Sequence, residues 1–161
     1  MGYLLDADVF IRAKRDHYRF PIFPCFWKWI EAQSTNGIIH SVSQVKIELD
    51  AGQDDLATWA KARPAIFLAP NAQTTSSMAQ VSQWVQDPSR KYTAQARATF
   101  LSGADYWLVS EGLSRSWTVV THEVPSPDSK NRIKIPDVCV GLGVSWMSPF
   151  QMLEEIGATF P

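Results

Sequence analysis

The sequence is poor in cysteine, in net charge and in long apolar runs. Cys25 and Cys139 are its only two cysteines, far apart and without a C-x-x-C spacing. That argues against a zinc site built on them and removes disulfide staples as the basis of the fold; it also points to a reducing, cytoplasmic setting. Basic and acidic residues nearly cancel, 15 Lys+Arg against 16 Asp+Glu, for a formal charge of -1. The balance excludes a polybasic chain that coats nucleic acid by bulk electrostatics, but it leaves room for an acidic pocket offset by a basic patch elsewhere. No run of about 18 apolar residues occurs, so no membrane span is expected. The opening Met1-Gly2-Tyr3-Leu4-Leu5-Asp6 meets a carboxylate before a signal-type apolar core can form. Internal repeats and low-complexity segments are absent as well.

What the chain has in quantity is apolar bulk. Of its 161 residues 45% are hydrophobic, with 7 Trp and 8 Phe, enough for the core of a single domain spanning 1–161. Short apolar runs predict strands at 3–5, 38–39, 65–68, 117–121 and 144–146, the fourth being the richest in β-branched residues. Helices are predicted from Val9 onward, over 23–34 after the Pro21 and Pro24 breaks, to Leu49 with Ser41 or Ser43 as cap, and over 54–62, 74–86, 92–101, 104–113, 135–141 and from Ser148 to the end. Residues 124–132 read as a Pro/Ser/Asp loop. Strands alternating with helices are the pattern of an α/β sandwich around a mostly parallel sheet.

Several acids fit that pattern badly as mere surface. Asp6 closes the first strand, where sites form in parallel α/β sheets, although it is equally placed to cap the next helix. Asp105 falls on the apolar stripe of its helix with Leu101, Leu108, Val109 and Gly112, an unfavourable place for an unpaired carboxylate unless it serves as the N-cap. Glu48 borders the Val42/Val45/Leu49 stripe, a rim position that suits a solvated residue equally. Glu123 follows the strongest strand directly, as an ordinary turn residue or as a second strand-end acid. Asp137, in Ile135-Pro136-Asp137, is an early helix residue or a further acid. Acids gathered at one sheet edge repel one another and raise each other's pKa, and a divalent cation relieves that repulsion. All-oxygen donors favour Mg²⁺ or Mn²⁺ over zinc, and such a site suits metal-assisted phosphodiester hydrolysis.

The order of these acids resembles the PIN-domain family over nearly the whole chain. The matching stretches are Tyr3-Leu4-Leu5-Asp6-Ala7-Asp8-Val9-Phe10-Ile11, Ser43-x-x-Lys46-x-Glu48-Leu49, Gly103-Ala104-Asp105-Tyr106-Trp107-Leu108-Val109 and Val119-Val120-Thr121-His122-Glu123. The Phe20-Pro21-x-x-Pro24-x-Phe26-Trp27 segment and the late Lys134-Ile135-Pro136-Asp137-Val138-Cys139 element resemble a subgroup of uncharacterised PIN-like proteins. The resemblance implies a three-layer α/β/α sandwich and a bacterial Mg²⁺ or Mn²⁺ ribonuclease that leaves a 5′-phosphate and a 3′-hydroxyl. It further implies the toxin of a type II toxin–antitoxin pair, acting as a homodimer with a cognate antitoxin as partner. It makes Asp6, Glu48, Asp105 and Glu123 the catalytic, metal-binding acids, with Asp137 sharing or replacing the role of Glu123. Asp8 and Thr121 take orienting positions. The family more often has Asn or a hydroxyl residue where Asp8 stands, and Asp where Glu123 stands.

Arg12, Lys14, Arg15 and Arg19, with His17 and Tyr18, follow the first acid and form either an RNA-contacting rim or a solvated helix face. Lys46 stands two residues before Glu48, where it can contact phosphate or offset acidic charge. Lys130, Arg132 and Lys134 form a second basic group. The seven Trp sit among apolar neighbours and are expected in the core or a dimer contact rather than in base stacking. His122 lies near the acids and His40 at a strand end, either as satisfied structural imidazoles or, for His122, as an aid to the site. Two further readings are open. Asp6-Ala7-Asp8 resembles the Asp-x-Asp opening of haloacid-dehalogenase-type phosphatases, and a PIN-like scaffold can bind RNA or protein without cutting.

Overall fold

The computed structural model describes residues 1–160. Its centre is a five-stranded sheet of β1 (Tyr3–Leu5), β2 (Ile39–Val42), β3 (Phe67–Leu68), β4 (Thr118–Val120) and β5 (Trp146–Met147), in the order β3-β2-β1-β4-β5. Every pairing is parallel, with Leu4 opposite His40 on one side and Val119 on the other. Parallel neighbours need crossovers, which the helices supply: α1 (Ala7–Arg12), α2 (Pro24–Thr35), α3 (Ser43–Ala51), α4 (Asp55–Lys61), α5 (Ala72–Gln86), α6 (Ala94–Ser102), α7 (Ala104–Arg115), α8 (Ile135–Leu142) and α9 (Pro149–Ile156).

Successive strand residues point to opposite faces, yet Leu4, Leu5, Val119 and Val120 are all fully buried. Both faces of the sheet are therefore covered, which makes the molecule the three-layer α/β/α sandwich expected of a PIN-like fold. Each such side chain taken out of water contributes roughly 1.5–3 kcal/mol. Helix α7 lies across β1, β2 and β4, with α5, α6 and α8 packed around it. Its close approach needs Gly112, where a Cβ would stand 2.9 Å from a Val119 methyl.

Most departures from the sequence reading lie at element ends. Strand β2 runs on to Val42 because Ser41 does not cap a helix: it is buried in the strand and its hydroxyl donates to Leu5 O at 2.6 Å. The Ser43 hydroxyl turns to Gln44 instead, so α3 starts without a side-chain cap. Strand β5 starts at Trp146 rather than Val144, because Gly143 at φ +70° and the Val144 N–H to Cys139 O close α8 first. Helix α5 starts two residues early, at Ala72, behind an Asn71–Thr74 capping box. After α1 the helix widens over Ala13–His17, where the Tyr18 N–H reaches back five residues to Ala13 O at 2.6 Å. The aromatic segment then locks onto α2 and α4. Phe20 stacks on Trp27 at 4.2 Å, Tyr18 on Phe26 at 4.1 Å, and Trp27 meets Trp59 edge-on at 4.9 Å.

Candidate active site

The sheet order reverses at β1. The chain steps from β1 to β2 and β3 on one side, then returns to β4 and β5 on the other. In a parallel sheet this opens a crevice at the carboxyl ends of the strands flanking the switch, here β1 and β4. Asp6 is the first residue after β1 and Thr121 the first after β4. Asp6 holds the N-cap position of α1, but its carboxylate does not cap the helix. It turns into the crevice, where the Thr121 hydroxyl donates to Asp6 Oδ2 at 3.0 Å. Asp105 is likewise not a cap, since Gly103 fills that position and Asp105 lies inside the first turn of α7.

A cavity of about 630 Å³ at this edge is lined by Asp6, Asp8, Glu48, Asp105 and Glu123, with Arg12, Arg132 and Lys134 among them. Burial and then the charge of Asp105 push the carboxyl of Asp6 up to about 8, against the lowering hydrogen bond from Thr121. Burial, then Glu123 and Glu48, push Asp105 up to about 7, while Arg132 and Lys134 oppose the rise. Glu123 is held in place on both oxygens. Oε2 accepts from the Ile135 N–H at 2.7 Å, at the positive end of α8, and Oε1 pairs with Arg132 at 3.2 Å. The Glu123 N–H donates back to the Thr121 hydroxyl at 3.1 Å, so Thr121 links both strand-end acids.

Among the described residues, no three His, Cys, Asp or Glu side chains form a ready-made metal-ligand cluster. Magnesium does not require one, because it commonly binds through one or two carboxylates and keeps several waters. Two carboxyls whose pKa values rise through burial and mutual repulsion, in a cavity whose acidic lining offers oxygen donors, fit such an ion.

The sequence matches no curated protein. Residues 3–160 match the family described as "Domain of unknown function (DUF4411)". The chain belongs to that family. In three dimensions the DUF4411 chain is similar to a chain in the crystal structure of VapBC2 from Rickettsia felis bound to a DNA fragment from their promoter. The TM-score is 0.55 at 13% identity, over 92% of this chain and 98% of the other. The likeness concerns the fold.

The DUF4411 structure thus brings Asp6, Glu48, Asp105 and Glu123 to one cavity and leaves Asp137 out of it. Both Asp137 oxygens accept from the Ser126 N–H, at 3.0 and 3.1 Å, and its side chain faces a separate cavity beside Trp84 and Tyr92. Asp8 lines the acidic cavity but pairs with Arg12 at 2.8 Å, so the group that orients Asp6 is Thr121. Of Arg12, Lys14, Arg15 and Lys46 only Arg12 lines the cavity. Lys14 is drawn away by Asp54 and Asp55, at 2.7 and 3.1 Å, Arg15 by Asp16 and Lys46 by Asp50. Arg132 and Lys134, from the second basic group, stand with Arg12 at the cavity. Cys139 is buried and Cys25 partly so, both unpaired. The sequence reading missed Glu111, buried in α7, which pairs with Arg115 and accepts from the Thr74 hydroxyl. Its signal was the i,i+4 Glu–Arg spacing. Glu111 lies about two turns from Asp105 and braces α5 against α7.

Proposed function

We propose that this chain is a divalent-metal-dependent endoribonuclease that hydrolyses RNA phosphodiester bonds in the cytoplasm. The observation that carries the reading is the meeting of Asp6 and Asp105, both pushed well above the usual carboxylate range, in a cavity shared with Glu48 and Glu123. When bound there, Mg²⁺ or Mn²⁺ supplies an activated water and neutralises charge on the phosphate and leaving oxygen. Asp6 and Asp105 would hold the ion, with Glu48 and Glu123 adding negative charge at the cavity wall. Thr121 keeps Asp6 turned inward. Arg12, Arg132 and Lys134 offer positive charge to the phosphates on either side. The fold likeness to a VapBC2 chain supports a further assignment, the toxin of a type II pair with a cognate antitoxin, acting as a homodimer. No observation of similar weight favours a phosphatase, since the group facing Asp6 is Asp105 and Asp8 is engaged by Arg12.

The test is cleavage of RNA by the purified protein with Mn²⁺ or Mg²⁺, compared with Asp6→Asn and Asp105→Asn. Each variant should lose about 10²–10⁴-fold in rate, the range that positioned catalytic groups supply. Equal cleavage by wild type and both variants would reject the assignment.

A further inference from the structure

Three rings beside the acidic cavity are unused by that chemistry. His17 ends the widened turn after α1, His122 follows Thr121, and Phe150 is the second residue of α9. His17 meets Phe150 edge-on, 5.5 Å between ring centroids, and His122 lies 5.9 Å from Phe150 and 6.3 Å from His17. His122 lines the acidic cavity on one side. On the other, the three rings close a small apolar cavity of about 20 Å³ whose floor includes Leu5, Val9 and Met152. Their inner sides therefore rest on the core. Phe150 is 46% exposed, His17 is exposed and His122 is partly so. Arg12 lines the acidic cavity, and its charge reaches His122. Positive charge for a phosphate and a cluster of partly exposed aromatic rings thus adjoin one another.

We propose that His17, His122 and Phe150 form a stacking subsite for one unpaired nucleobase of the strand whose phosphate enters the acidic cavity. The strand held there is unpaired at the base that this subsite takes. A base in a duplex is already stacked on both faces and paired, so it has no free face for these rings. Aromatic rings and phosphate-directed charge side by side are the general means of holding a single strand. The inference rests on the ribonuclease reading for the strand's identity, but binding tests it without cleavage.

The experiment measures fluorescence anisotropy of the full chain with a fluorescein-labelled single-stranded RNA octamer in Ca²⁺. An abasic site is placed at each position in turn. For wild type, one abasic position should weaken binding about tenfold, the loss expected for one stacked base. Phe150→Ala and His17→Ala should weaken binding of the intact octamer by a similar factor, and the same abasic lesion should then cost nothing further. Phe150→Trp should restore both the affinity and the abasic penalty. Thermal melts of the variants check their folding. A full abasic penalty retained in Phe150→Ala and His17→Ala overturns the subsite, as does unchanged affinity, the result expected if the rings instead dock a protein. No binding of the octamer by wild type overturns it too. Intact binding and coupling with no cleavage in Mn²⁺ overturns the ribonuclease reading alone.

Discussion

Thr121 shows how much of a site can rest on one hydroxyl. It donates to Asp6, accepts from the Glu123 N–H and is itself fully buried, so two strand-end acids share one fixed point. Replacing it with Val keeps the shape and removes both bonds. Asp6 then loses the contact that lowers its pKa, and the carboxyl rises further. Thr121→Val should therefore shift the pH midpoint of RNA cleavage upward and weaken Mn²⁺ binding about 10–100-fold, as loss of a group that orients a metal ligand does. A pH–rate profile and Mn²⁺ titration calorimetry check it; an unchanged midpoint would show that the hydroxyl does not govern Asp6. At this scale the sequence was legible where backbone position alone decides. Asp6 and Glu123 follow strands, and the stripe logic placed Asp105. It was not legible where partners from distant segments decide. Lys14 looks like Arg12 until Asp54 and Asp55 arrive from another helix, and Asp137 looks like a fourth acid until Ser126 takes both its oxygens.

Helix α7 is the element on which Asp105 depends. It crosses β1, β2 and β4, and its position is set by the absence of a side chain at Gly112, two turns from Asp105. In an exposed helix Gly→Ala stabilises by about 1 kcal/mol. Here the new Cβ would meet Val119 at 2.9 Å and Val144 at 3.1 Å, both in the packed core. Overpacking of that kind costs about 1–3 kcal/mol, so the collision outweighs the propensity gain. Gly112→Ala should lower the melting temperature by several degrees and slow cleavage as Asp105 moves outward with α7. A melting temperature at or above wild type would mean the sheet yields instead. The helices themselves were readable from period and breakers, and the errors lie at their ends for a shared reason. Backbone closures such as Val144 N–H to Cys139 O and Ile38 N–H to Gln33 O use residues that their apolar character assigns to strands. The Asn71 cap failed to register because the apolar period of α5 begins after it.

For the molecule as a whole, near-neutral total charge conceals a local imbalance that folding creates. The parallel sheet brings acids from β1, α3, α7 and the end of β4 to one edge, and the fold bears the cost of holding them there. Asp6 and Asp105 titrate near 3.8 when free but near 8 and 7 when folded. Below about pH 4 both groups are neutral in either state and the fold keeps its full stability. As pH rises from about 4 to about 8 the unfolded chain releases those protons while the folded chain retains them, so stability falls; beyond about 8 this contribution levels off. A bound cation should reverse the trend, because it replaces the protons and binds most tightly to the ionised acids. An ion at a hundred times its dissociation constant adds about 2.7 kcal/mol. Melting curves without metal should therefore shift to lower temperature between pH 5 and pH 8, and Mn²⁺ should raise the melting temperature far more at pH 8 than at pH 5. Asp6→Asn should flatten the metal-free slope, melt above wild type at pH 8 and lose most of the Mn²⁺ response. If the metal-free curves coincide across that range, or Mn²⁺ acts equally on Asp6→Asn, the acids are not under the mutual repulsion that the cavity implies, and the case for a cation at this edge fails with it.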